Sequence, residues 1–172
     1  MTYINGSNIY ISGVHPFIFD TQEIQNLEID VVISFLDEVH RPDFMIANIP
    51  NHVKHYYYSI KDSSTQMLKG FYDPVFNVLH NALERQKNVL IHCRNGESVC
   101  VALLVAFMLQ CVRWAEKYLI FDYLNYIPKI YSTWTDSFIY YISSMYPPTR
   151  LRHEFKEQLY EYERKILPRM DD

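Results

Sequence analysis

Residues 88 to 110 read NVLIHCRNGESVCVALLVAFMLQ, and this run leaves the chain few ways to fold. Val89, Leu90 and Ile91 follow one another without polar alternation, the pattern of a strand covered on both faces. Residues 99 to 108 are all apolar or cysteine, so a helix there has no face to give to water and belongs inside the molecule. The stretch is far shorter than the about 20 residues a bilayer span requires. Between strand and helix lies a polar segment, residues 94 to 98, with Gly96 to let it turn tightly. Strand, loop and helix in that order aim the backbone N–H groups of the loop at an anion.

The remaining segments fit around this centre. SNIYISGV alternates into a short strand ending at Gly13. DTQEIQNLEI starts a short helix with Asp20 or Thr21 placed as its cap, and the β-branched run from 29 to 35 is a second buried strand. VKHYYYSIKD is another strand, closed by the polar turn KDSST. From about 66 to 85, Met67, Phe71, Val75, Val78, Leu79 and Leu83 recur at helical spacing. Pro74 fits the middle of that helix poorly, and its alternative place is the first turn. RLRHEFKEQLYEYERKIL sets Leu151, Phe155, Leu159, Tyr162 and Ile166 on one stripe of a closing amphipathic helix. With no internal repeat or low-complexity linker, residues 1 to 172 read as one α/β domain.

Composition narrows function only by exclusion. A formal net charge of -4 argues against a duplex nucleic-acid partner, which needs a basic face. It does not exclude small phosphorylated ligands, because a local cradle can be positive on an acidic protein. The 3 cysteines, Cys93, Cys100 and Cys111, lack metal-ligand spacing and suit a reducing compartment. No metal or cofactor is therefore expected. The opening MTYINGSNIYISG has no basic segment followed by an apolar one, so the expectation is a cytoplasmic or nuclear protein without a secretory signal or membrane span.

A lone cysteine is most often a small buried hydrophobe. Cys93, however, ends a strand, opens a glycine-containing loop and precedes a helix N-terminus, and convergent amides at such a place favour the thiolate. IHCRNGESVC resembles the signature of cysteine-dependent protein tyrosine phosphatases, in particular the dual-specificity branch: His-Cys, five residues, Arg, then Ser or Thr. NIYISG and IDVVISF resemble the first strands of that family, and YYYSIKDSS resembles the segment carrying its general acid. FIYYISSMYPPTRLRHEFKEQLYEYERKI resembles its closing helices. The likeness runs from about Ile4 to Ile166. It implies a compact α/β domain with a central, mostly parallel, twisted sheet flanked by helices.

The resemblance also implies roles. Cys93 falls on the nucleophile, Asp62 on the general acid, and His92 on the residue that orients the loop. Residues His92, Cys93, Arg94, Asn95, Gly96, Glu97, Ser98 and Val99 form the phosphate-binding loop. Val99 falls where the family has its arginine, and Cys100 falls on the Ser/Thr. Valine offers no donor to a phosphoryl oxygen, whereas arginine offers a planar fork and a permanent charge. Arginines that stabilise phosphoryl transfer elsewhere are worth about 10³ to 10⁵ in rate, or roughly 4 to 7 kcal/mol. Glu97 adds negative charge beside the anion site. Arg94 and Lys61 are the neighbouring cations that stand nearest to compensate, with a solvated surface charge as the alternative for each. Asp62 and His92 also have plain readings, as a turn residue and a strand-end residue.

The expectation is a pseudophosphatase that binds a protein or phosphoprotein partner in a regulatory role. A weakly active dual-specificity phosphatase using Cys93 and Asp62 is the first alternative, and an RNA 5′-phosphatase the second. Cys93 and Cys100 are expected to lie close together as free thiols, with a reversible disulfide as the alternative. Residues at about 111 to 133 exceed what the family needs and are rich in aromatics, among them Trp114, Tyr118, Phe121, Tyr123, Tyr126 and Tyr131. They read as an extra helix packed on the domain, or as a surface for a partner or for self-association.

Overall fold

The computed structural model describes residues 1–4, 7–14, 21–37, 49–114 and 131–167. In chain order these form β1 (Thr2–Ile4), β2 (Ile9–Gly13), α1 (Thr21–Asn26), β3 (Ile29–Leu36), β4 (Lys54–Ser59), α2 (Lys69–Glu84), β5 (Asn88–Cys93), α3 (Val99–Trp114), α4 (Trp134–Met145) and α5 (His153–Ile166). The strands make one sheet ordered β1-β2-β5-β3-β4. β1 runs antiparallel to β2, and the other pairings are parallel. The strand with the purest apolar run, β5, sits in the middle. That is where a segment with no polar face has least contact with water.

One face of the sheet packs on α3. Every α3 residue from Val99 to Leu109 is buried, which is why its sequence shows no amphipathic stripe. α2, α4 and α5 surround α3, and α5 contributes the fully buried Phe155 and Leu159. On the opposite face Ile24, Ile29, Val32, Leu36 and Leu90 form a smaller cluster under α1. Among the described residues, no helix is long and apolar enough to cross a membrane.

The structure adds a strand and places Pro74, while two further expectations fall largely on residues outside the described ones. β1 is an added edge strand, three residues long, that the sequence pattern does not distinguish from β2. Pro74 lies inside α2 rather than at its first turn. The N–H it lacks would have met the carbonyl of Gly70, one turn back, and Gly70 is exposed, so water can serve that oxygen. The aromatic segment is entered by α3, which runs on to Trp114, while residues 115–130 lie outside the described ones. So does the capping role expected of Asp20 or the Thr21 side chain.

Two side-chain devices tie α5 to its neighbours. Thr133 caps α4 through its side chain, and the Glu163 carboxylate of α5 accepts from the N–H groups of Trp134 and Thr135 at 2.8 Å each. Gln158 of α5 accepts from Leu68 N–H at 2.8 Å and donates to the Gln66 carbonyl at 2.9 Å. The chain between β4 and α2 is thereby tied to α5.

Candidate functional site

The loop after β5 is held mainly through its backbone carbonyls. Val14 N–H donates to the Arg94 carbonyl at 3.0 Å, and Arg150 N–H donates to the Glu97 carbonyl at 2.8 Å. Gly96 takes φ +77°, a left-handed conformation that glycine adopts without penalty. A Cβ there would lie 2.5 Å from Gly13 N and 2.7 Å from Ser12 C, and would strike the Tyr146 hydroxyl. Gly13 is equally constrained, since a Cβ on it would come within 2.9 Å of the Asn95 carbonyl. The loop therefore rests directly on the end of β2, with Tyr146 behind it.

This geometry turns amides onto the Cys93 sulfur. Cys93 is 3% exposed, and its Sγ lies 3.0 Å from Cys100 Sγ, both as free thiols. The contact with Cys100 holds the Cys93 thiol below its ordinary pKa; burial opposes this, and the backbone N–H groups of Cys100, Ser98 and Gly96 reinforce it. Cys100 is pushed well above the ordinary value by burial and by its place beside Cys93. The pair thus consists of one sulfur prepared to carry charge and one prepared to donate. Tyr146 is pushed up to about 12, first by burial and then by Cys100 and Cys93.

His92 points the other way, into the sheet. It is fully buried, and its Nε2 lies 2.6 Å from the hydroxyl of Ser34 on β3. The same hydroxyl lies 2.7 Å from His55 Nε2 on β4. A hydroxyl has one proton to give, so one of the two rings accepts it and the other donates to the oxygen. Burial, with His55 beside it, pushes His92 down to about 3. His92 is a neutral strut that joins three strands below the loop.

Above Cys93 the loop opens into a small cleft of about 90 Å³. Asp62, Val99, Arg94 and Asp37 line it, with Phe35 and Ile60 as apolar walls. The expected nucleophile and acid positions therefore share one hollow with Val99, whose aliphatic side chain is 1% exposed. Asn95 is exposed, and Glu97 is half-buried. Ser98 is buried, its hydroxyl accepting from Arg152 N–H at 3.3 Å. Of the two neighbouring cations, Arg94 reaches the rim of the cleft, whereas Lys61 is exposed and does not line it. A roomier groove of about 660 Å³ between α2, α3 and α5 contains no cysteine, so chemistry rather than size marks the site.

Sequence reasoning missed Arg152. Its Nε donates to Asp62 Oδ1 at 2.5 Å, an ion pair across 90 positions of sequence. Ser34 and His55 were missed for the same reason, being brought to His92 only by strand order. No local pattern announces either contact.

A model of the dual specificity phosphatase catalytic domain matches residues 9–165. The chain belongs to this family. Dual specificity protein phosphatase 18 from Bos taurus is 26% identical over 144 residues, covering 84% of this chain and 59% of that protein. The chain thus spans less than two thirds of that relative. The structure of human tyrosine phosphatase-like serine/threonine/tyrosine-interacting protein is similar with a TM-score of 0.74, 16% identity and 98% coverage of both chains. The Yvh1 phosphatase domain from Chaetomium thermophilum is similar with a TM-score of 0.70, 20% identity and 95% coverage of both chains. These likenesses establish the dual specificity phosphatase fold, with its mostly parallel sheet flanked by helices.

Proposed function

We propose that this domain is a pseudophosphatase, a dual specificity phosphatase fold that binds a protein or phosphoprotein partner without significant turnover. The observation that carries the reading is Val99. It occupies the first residue of α3, lines the cleft above Cys93, and has no nitrogen or oxygen with which to meet a phosphoryl group. Transition-state charge would have to be stabilised by the loop amides and by Arg94 at the rim, without a donor at position 99. Asp62, the position matched with the general acid, is engaged as an acceptor by Arg152. The fold's likeness to a human protein called phosphatase-like and interacting agrees with a binding role.

One observation favours a weakly active enzyme instead. The Cys93 thiol is held below its ordinary pKa, so the nucleophile remains prepared. Hydrolysis of an aryl phosphate, measured beside Cys93→Ser as blank, separates the two readings. The pseudophosphatase reading expects the wild type to match the blank. A wild-type rate several decades above it identifies an enzyme. Binding without turnover is then tested by titrating phosphotyrosine at low ionic strength.

A further inference from the structure

The cleft over Cys93 carries two carboxylates, Asp37 and Asp62, in a hollow of about 90 Å³. An anion entering it needs a cation with free donors; position 99 supplies none, Arg94 stands at the rim, and Arg152, which does not line the hollow itself, reaches it through Asp62. We infer that Arg152 is that cation, that its ligand is a phosphomonoester, and that Asp62 is the internal carboxylate which the ligand displaces. The inference rests on the binding reading above and deepens it by assigning the ligand class and the residue that holds it.

Placement is the first support. The backbone from Arg150 to Arg152 runs along the end of the loop, bonded to Glu97 through Arg150 N–H and to Ser98 through Arg152 N–H. Ser98 directly precedes Val99, so Arg152 is anchored beside the position that lacks a charge. The partner is the second support. Its guanidinium reaches Asp62, which lines the cleft, through a single N–H at 2.5 Å. A guanidinium has five N–H donors in a planar fork, and its Nη groups bond no other described residue. A phosphate can therefore take two parallel bonds where Asp62 takes one.

Strength and rigidity decide whether exchange is feasible. The Arg152 and Asp62 side chains are 44% and 35% exposed, so their pair is a solvent-screened one that a ligand can replace at small cost. The elements bearing them are fixed: Gln158 ties the chain after Asp62 to α5, and Glu163 ties α5 to α4. Exchange then requires a side-chain rotation rather than a loop movement. The arrangement is a salt bridge standing in for a ligand.

The test is titration of the full chain with phosphotyrosine and with inorganic phosphate, followed by the Nε–H resonance of Arg152. Binding should move that resonance in the wild type. Asp62→Asn should raise affinity about two- to fivefold by freeing the fork, Arg152→Gln should abolish binding, and Arg152→Lys should restore part of it. In the Arg152→Gln background, Asp62→Asn should give no gain. A gain there would be a plain charge effect and would overturn the inference, as would binding that survives Arg152→Gln but disappears in Arg94→Gln. Failure to bind phosphate in every variant would overturn it too. Turnover of an aryl phosphate by the wild type would instead refute the reading on which it rests, so the two failures are distinguishable. Thermal unfolding of each variant confirms that the fold persists.

Discussion

The two halves of the cleft are built to different standards. Around Cys93 nearly every polar contact is prepared: amides converge on the sulfur, Cys100 sits against it, and His92 braces the strand end from below. Around Val99 the wall is aliphatic, Asp62 is paired with Arg152, and Asp37 and Arg94 complete the charged lining. Backbone conformation builds the first half together with the buried Cys100 and His92 side chains. The second half depends on the identity of single side chains.

If the sulfur half is set by backbone close approach, Gly96→Ala should be the most damaging single change. It combines a left-handed φ with contact against β2, and should cost about 3 kcal/mol in urea unfolding. A loss below about 0.5 kcal/mol would mean the loop can shift. The brace below the loop should show itself as pH dependence. His92 is neutral in the fold down to about 3, against 6.5 for the free side chain, so the unfolded chain binds the extra proton between those values. Its stabilising contribution is present above about pH 6.5 and lost as pH falls towards 3, with a slope of up to about 1.4 kcal/mol per unit. His92→Asn should flatten that slope in denaturant unfolding followed across pH. The smallest effect belongs to the thiol pair. Cys100→Ala removes the leading stabilisation of the Cys93 thiolate, and should raise its pKa. The check is the pH dependence of alkylation by iodoacetamide; an unchanged midpoint would assign the lowering to the amides alone.

What could be read from the sequence obeys a physical division. β3, β5 and α3 were legible because each buries nearly every residue, and composition alone records that. α5 was legible through its stripe, which the structure packs as expected at Phe155 and Leu159. β1 was not, because three residues carry no periodicity and its role exists only through β2. Pro74 could not be placed, because whether a missing N–H matters depends on the solvation of Gly70. Cys93, Asp62 and Val99 were found through a motif and do share one cleft. Arg152 carries no such signal: it meets Asp62 only because Gln158 and Glu163 dock α5 against two distant segments.

The most direct test of the proposed pseudophosphatase reading is to place an arginine at position 99. Aryl phosphate turnover should be compared for wild type, Cys93→Ser and Val99→Arg. The account predicts a wild type indistinguishable from Cys93→Ser, and a gain of about 10³ or more in Val99→Arg, the range an arginine commands in phosphoryl transfer. A folded Val99→Arg that stays as silent as Cys93→Ser would contradict it, because silence would then lie elsewhere than at the missing charge.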